Sequence, residues 1–269
     1  MLDERIHAYR RDIADIALAG QIFAPHYARP LMHRCGLRPA FVLAAPSKDA
    51  PITSQLLPGE EFAVLELNGH WAWGYCRADH YVGYVEIAAL ADPFDPTHVV
   101  AALDAPVFAE ADAHDGPLFR LPMGARIRGE EESGFLVTDD GLIPLAEVRA
   151  IDSFEQDPVA VAERLLGAPY LLGGRTSHGV DCSGLVQLAL GFCGTPAPRD
   201  SDQQQALGQL LADDAALRRG DLIFFEGHVG LMLDQDRLIH ATAHAGAVVV
   251  EPLGDVAARR PIVARRRLP

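Results

Sequence analysis

The chain has 269 residues, enough for more than one domain and for a sizeable buried core. Its net charge of −14 argues against a nucleic-acid partner, because phosphate binding needs clustered lysine and arginine. The four cysteines have neither paired nor metal-binding spacing, so reduced thiols are expected at Cys35, Cys76, Cys182 and Cys193.

A polar arm, residues 1–36, comes first. Charged residues recur through Asp15, which leaves no apolar stretch of signal-peptide length. No apolar run elsewhere is long enough to span a membrane. These observations predict a cytoplasmic protein without a membrane partner, unless a leader has been removed.

Residues 37–92 are predicted to form a small all-β domain. Turn signals such as Asn68-Gly69 separate β-favouring runs at 41–44, 61–66, 71–77 and 81–85. Segments 55–60 and 81–85 resemble parts of a bacterial SH3-like barrel. A connector with two prolines, 92–96, then leads to residues 97–150, which predict a second, degenerate SH3-like barrel. Its strand-like runs are 107–108, 118–119, 125–128, 135–138 and 142–144.

Residues 155–269 mix helices with strands. Asp157 and Pro158 are typical of a helix start, and Gly167 is typical of a helix end after residue 166. A second helix begins near Cys182, and antiparallel strands follow. This order predicts an α+β domain in which the helix bearing the cysteine packs on the sheet. The predicted strands are 222–225, 229–233, 237–242, 248–251 and 262–266.

Cys182 stands at the start of an apolar, helix-like run. The free N–H groups and positive dipole end of a helix favour thiolate over thiol, and thiolate is the nucleophilic form. The alternative is a small buried hydrophobic residue. Five arginines near the C-terminus are predicted to lie on a solvated strand face: Arg259, Arg260, Arg265, Arg266 and Arg267.

His228 and His240 lie in two strand-like runs that form a hairpin pattern. With a three-residue loop, Leu233 pairs with Arg237 and Gly230 with His240. That register places the two histidines diagonally on one face. A two-residue loop would send them to opposite faces.

Six ordered segments resemble the NlpC-type family of bacterial cell-wall cysteine peptidases, which are papain-like. They are 169–174, 181–184, 198–201, 220–225, 227–230 and 239–241. The resemblance implies that Cys182 is the nucleophile, His228 the general base and His240 the orienting third member. It also implies that Tyr170 lies beside the oxyanion site, to which the backbone N–H of Cys182 contributes.

The same roles agree with the chemistry of the residues. A second imidazole bonded to the far nitrogen of His228 would hold its tautomer. Zinc is the competing use of cysteine and histidine, but three converging ligands fall short of a four-ligand structural site. We expect neither a metal nor another cofactor.

By the resemblance, members with SH3-like domains ahead of the peptidase cut the bond after γ-D-Glu in murein peptides that bear a free N-terminal L-Ala, which implies peptide recycling. Asp181 would pair with the substrate ammonium, or cap the Cys182 helix, or do both. Ser183 flanks the nucleophile as a further substrate contact. Ser201 would contact substrate or cap a helix. Glu60 and Tyr81 would close the far end of the site, or be merely exposed.

Two other functions stay open. The chain could be a non-enzymatic murein-binding module, although intact Cys182, His228 and His240 argue against a decayed peptidase. It could also be an amidase or acyltransferase, since an amine can resolve a thioester.

Overall fold

Strands dominate the computed structural model, which describes residues 2–111 and 116–269. The chain divides into two units, Met1–Ser153 and Phe154–Pro269. In the described residues the α-helices all lie in the second unit, and the first contains strands and three short 3-10 helices, Ile16–Leu18, Ile87–Ala89 and Leu145–Glu147. No helix in these ranges is both long and apolar enough to cross a membrane.

The first barrel is one antiparallel sheet of seven strands that curls around an apolar core containing Phe62 and Val85. It begins at Leu31, earlier than the expected boundary at 37, because the first of its strands pairs with two later ones. Before it, β1 (Ile13–Asp15) and β2 (His26–Ala28) form a parallel pair. The barrel strands are β3 (Leu31–Cys35), β4 (Ala40–Leu43), β5 (Ile52–Leu56), β6 (Glu61–Asn68), β7 (Trp71–Cys76), β8 (Val82–Glu86) and β9 (Leu90–Ala91).

Three short sheets enclose a second apolar core that includes Val107, Leu136 and Ile143. Residues 112–115 of this predicted second barrel lie outside the described residues, and its likeness to an SH3-like barrel stays a prediction. The strands are β10 (His98–Val100), β11 (Asp104–Val107), β12 (Phe119–Pro122), β13 (Arg126–Ile127), β14 (Glu130–Glu132), β15 (Phe135–Thr138), β16 (Gly141–Pro144) and β17 (Val148–Ala150).

The second unit is a helix packed on a six-stranded antiparallel sheet, which confirms the predicted α+β fold. The sheet order is β20-β25-β21-β22-β23-β24, and α2 packs on the neighbouring strands β22 and β23. The elements are α1 (Pro158–Glu163), β18 (Arg175–Thr176), β19 (Gly179–Val180), α2 (Cys182–Phe192), α3 (Ser201–Gln204), β20 (Gln209–Leu210), β21 (Leu222–Phe225), β22 (His228–Met232), β23 (Arg237–Thr242), β24 (Ala247–Pro252), α4 (Leu253–Arg259) and β25 (Ile262–Arg267).

Asp157 caps α1 by accepting from the N–H of Val159, as predicted. The helix nevertheless ends at Glu163, because Leu165 and Leu166 continue it with tighter i to i−3 bonds. Gly167 then reverses the chain with a φ of +82°.

Candidate active site

Cys182 is the first residue of α2, and Asp181 is the cap that starts this helix. Asp181 has extended backbone, and its carboxylate Oδ1 accepts from the N–H of Gly184 at 2.7 Å. The predicted capping role of Asp181 is therefore confirmed. Cys182 is buried, with 7% of the residue exposed. A Cβ at Gly184 would lie 2.5 Å from the carbonyl oxygen of Gly174, so glycine is required where α2 begins.

The Asp181 carboxylate is also half of a buried ion pair that sequence reasoning missed. Arg199, 1% exposed, donates from Nη1 to Oδ1 at 2.9 Å and from Nη2 to Oδ2 at 2.6 Å. The N–H of Gly173 donates to Oδ2 at 2.7 Å. Both oxygens thus already have several donors, and the expected pairing of Asp181 with a substrate ammonium would compete with Arg199.

Ser183 belongs to the same buried cluster. Its hydroxyl accepts from Arg199 Nη1 at 2.8 Å and donates to Asp181 Oδ1 at 3.3 Å. At 5% exposure its side chain supports the helix start, and its contact with substrate stays a prediction.

The histidine hairpin has the register predicted for a three-residue loop. The N–H of Leu233 donates to the carbonyl of Arg237, and β22 pairs with β23 through Leu231 and Ile239. Gly230 therefore lies opposite His240, where a Cβ would come within 3.0 Å of the His240 Cβ. This absence of a side chain leaves room for the two imidazoles on one face.

The two imidazoles contact each other directly. His228 Nε2 lies 2.8 Å from His240 Nδ1, and both rings are buried. The backbone N–H of Val229 bonds the Cys182 sulfur, so the strand carrying His228 lies against the nucleophile. His228 precedes Val229 on this strand, and its Nδ1 is the nitrogen not used by His240. Its role as the general base stays a prediction.

Sequence reasoning also missed Glu251. The His240 Nε2 atom lies 2.9 Å from Glu251 Oε2, and Arg259 donates to the other carboxylate oxygen at 2.7 Å. The strand carrying Glu251 was predicted, but not its pairing, in which Val249 lies opposite His240. With side chains alternating along β24, Glu251 falls on the same face as Val249 and reaches His240 diagonally.

Burial sets the ionisation of the site. It raises the pKa of Cys182 to about 11, helped by the nearby charge of Asp181, and outweighs the hydrogen bonds from Val229 and Ser183. Burial and the neighbouring His240 lower the pKa of His228 to about 3. Both shifts favour the neutral forms, a thiol at Cys182 and an unprotonated imidazole at His228, which is opposite to the expectation that the helix start makes this thiol ionise readily.

Tyr170 lies close to the nucleophile, as its predicted role requires. Burial, together with the charges of Cys182 and Asp181, raises the pKa of the Tyr170 phenol. With His228 and His240 it lines a cavity of about 280 Å³. The same cavity is lined by Arg259 and Arg260. Both are exposed, as expected, but they lie at the end of α4 and not on a strand.

The remaining predicted contacts are placed differently from expectation. Ser201 is the first residue of α3 and is preceded by Asp200 at the cap position, so it is not the helix cap. Glu60 and Tyr81, expected to be exposed, are each 6% exposed in the first unit. Glu60 accepts from the N–H of Leu57 at 2.9 Å, and Tyr81 packs in the barrel core. Their contact with substrate stays a prediction.

Comparison with known proteins identifies two parts of the chain. Residues 167–267 match the NlpC/P60 family, and residues 42–90 match the bacterial dipeptidyl-peptidase Sh3 domain. A solved NlpC/P60 family protein from Bacillus cereus superposes with a TM-score of 0.77 at 19% identity, over 89% of this chain and 100% of that one. This similarity shows a shared fold.

Curated relatives are also enzymes by name. Dipeptidyl-peptidase 6 of Lysinibacillus sphaericus is 24% identical over 80% of this chain and 89% of its own length. Gamma-D-glutamyl-L-lysine dipeptidyl-peptidase of Bacillus cereus is 32% identical over 36% of this chain and 31% of its own. The murein DD-endopeptidase MepS/murein LD-carboxypeptidase of Escherichia coli is 35% identical over 31% of this chain and 47% of its own.

Proposed function

This chain carries a bacterial SH3 domain followed by an NlpC/P60 cysteine peptidase domain. We therefore propose that it is an endopeptidase of murein peptides. The proposed substrate has a free N-terminal L-Ala, and the bond cut joins γ-D-Glu to the diamino acid. The observation that carries the proposal is a backbone hydrogen bond between Val229 and Cys182, the first residue of α2. It joins the nucleophile to the strand that carries His228, which contacts His240.

The chemistry follows from this geometry. His228 Nδ1 takes the thiol proton as the sulfur of Cys182 attacks the carbonyl carbon of the scissile amide. The oxyanion is met by the N–H of Cys182, which has no carbonyl partner in the first turn of α2, and by the nearby Tyr170. His228 returns the proton to the leaving amine, which breaks the C–N bond and leaves a thioester. Water, deprotonated by His228, then attacks the thioester and regenerates the thiol.

The relatives support the choice of substrate. Two of them are named dipeptidyl-peptidases, a term for enzymes that release a dipeptide from a free N-terminus, and one name specifies a γ-D-glutamyl-L-lysine bond. The first of these aligns along most of both chains. Action on released peptides, in a cytoplasmic recycling role, is the extension of this proposal that accords with a requirement for a free N-terminus.

Mass spectrometry of the products tests the proposal. The substrates are L-Ala-γ-D-Glu-diaminopimelate and its N-acetylated form. We expect L-Ala-D-Glu and free diaminopimelate from the first peptide, and at least a tenfold slower reaction with the second. A transferred acyl group would indicate a transferase, and equal rates or digestion of intact murein would contradict the recycling role.

A matched pair of variants identifies the nucleophile. Cys182→Ala should abolish turnover, while Cys193→Ala should keep it, because Cys193 lies at the other end of α2, on the order of 16 Å away. Residual turnover of Cys182→Ala comparable with that of Cys193→Ala would contradict the assignment.

A further inference from the structure

A chain of hydrogen bonds leads from the base through a second histidine to a carboxylate and an arginine. His228 Nε2 lies 2.8 Å from His240 Nδ1, and His240 Nε2 lies 2.9 Å from Glu251 Oε2. Arg259 Nη2 donates to Glu251 Oε1 at 2.7 Å. The side chains of His240, Glu251 and Arg259 are 1%, 20% and 39% exposed, so the chain runs from the interior to the surface.

The carboxylate fixes which group donates and which accepts in each of these hydrogen bonds. An ionised carboxylate only accepts hydrogen bonds, so His240 must carry its proton on Nε2. Nδ1 of a neutral His240 is then an acceptor, and His228 must donate to it from Nε2. The lone pair of His228 is left on Nδ1, the nitrogen that can take the thiol proton.

We propose that Glu251 is a positioning residue that sets the tautomers of both His228 and His240, and so makes His228 Nδ1 the base. The inference rests on the proposed function. Two imidazoles by themselves do not determine which ring donates, because His240 could equally donate from Nδ1 to His228 Nε2. That second arrangement would put the proton of His228 on Nδ1 and leave no base for the thiol. Glu251 removes it.

Arg259 makes the proposed order of donors and acceptors testable, because it orients the side chain at position 251. In the isosteric variant Glu251→Gln, one carboxylate oxygen becomes an NH2 group. Arg259 has only donors, so it holds the amide oxygen in the place of Oε1. The NH2 group then takes the place of Oε2 and donates to His240 Nε2. Both tautomers reverse, and His228 then carries its proton on Nδ1, the nitrogen that should accept the thiol proton.

The experiment compares kcat for L-Ala-γ-D-Glu-diaminopimelate in three variants. Glu251→Gln should lose at least about a hundredfold in kcat, the lower range of what general base catalysis contributes, with KM within about twofold of the wild type. Adding Arg259→Ala frees the amide to rotate and present its oxygen to His240, so the double variant should recover at least about tenfold over Glu251→Gln. Arg259→Ala alone keeps the carboxylate, so its kcat should exceed that of Glu251→Gln by a similar factor.

Matched controls come from a second carboxylate and arginine pair in the same unit. Glu163 accepts from Arg219 at 2.6 Å, with both side chains similarly exposed. Glu163→Gln and its double variant with Arg219→Ala should stay within about twofold of the wild type in kcat, as expected for an exposed pair. Recovery of activity on removal of a second residue is a result that a purely structural role for Glu251 does not produce. A kcat of Glu251→Gln within about threefold of the wild type, or a folded double variant without recovery, overturns the proposal.

A measurement on the wild type covers the case in which a variant fails to fold. Two-bond ¹H–¹⁵N correlation spectra at pH 7 distinguish the tautomers of histidine. We expect both His228 and His240 to carry their protons on Nε2, and a proton on Nδ1 of His228 would overturn the inference. If the wild type shows these tautomers but leaves the peptide intact, the proposed function fails and the role of Glu251 stands.

Discussion

Asp181→Asn should destabilise the second unit strongly, because it leaves a buried arginine without its counter-ion. Asp181 is 4% exposed and Arg199 is 1% exposed. Asparagine caps helices as well as aspartate does, so the substitution isolates the charge from the cap. Each carboxylate oxygen accepts from Arg199 and from a backbone N–H. Whichever oxygen becomes NH2 therefore faces donors instead of accepting from them.

Breaking a buried pair by removing one partner costs about 3–5 kcal/mol. For a unit of this size that loss lowers the Tm by roughly 10–20 °C. Circular dichroism at 222 nm reports the second unit, which holds the α-helices of the described residues. Fluorescence reports the first unit, because the two tryptophans, Trp71 and Trp73, both lie there. The lower Tm should appear in the circular dichroism signal.

Glu163→Gln is the control, since it breaks an exposed pair and should cost less than about 1 kcal/mol. Combining Asp181→Asn with Arg199→Leu should cost less than the sum of the single changes, by about 0.5–3 kcal/mol. A loss below about 1 kcal/mol for Asp181→Asn would refute the reasoning. The same variant is consequently a poor test of ammonium binding, because its activity would fall with its stability.

Other expectations concern the nucleophile, the hairpin and the cavity. Because burial raises the pKa of Cys182 to about 11, its alkylation by iodoacetamide should rise about tenfold per pH unit from pH 6 to 10, and a pH-independent rate between 5 and 8 would contradict this. Gly230→Ala should lose about 1–3 kcal/mol and displace His240, whereas Gly191→Ala, with nothing within 4 Å of the added Cβ, should be neutral or stabilising in unfolding assays. Arg260→Gln should lower kcat/KM for diaminopimelate peptides more than for lysine peptides, because the cationic cavity favours a second carboxylate.

Local features of the site were predictable from sequence, whereas contacts between distant residues were not. The histidine register followed from a three-residue loop and a period of two, both local properties. The start of α2 followed from Asp181, whose capping needs only the next three residues. Nothing local links Asp181 with Arg199, or His240 with Glu251, because those contacts depend on how loops and strands meet in the folded unit.

Exposure was the other weak point of sequence reasoning. Glu60 and Tyr81 were recognised by motif, which identifies a position but not its burial, and both are buried. The five C-terminal arginines read as a solvated face, yet Arg259 and Arg267 pair with acidic partners brought near by the sheet, Glu251 and Asp221. These pairs leave the arginines partly in solvent, since the side chains of Arg259 and Arg267 are 39% and 25% exposed.

The burial of the nucleophile explains why tautomers matter in this site. In a resting thiolate and imidazolium pair, both nitrogens of the base carry protons and no tautomer needs selecting. Burial instead favours the neutral forms of Cys182 and His228, because it raises the pKa of the thiol and lowers the pKa of the imidazole. A neutral imidazole takes the thiol proton only if its lone pair already faces the sulfur. The low polarity that disfavours a resting ion pair therefore creates the need for a residue, Glu251, that orients both imidazoles before substrate binds.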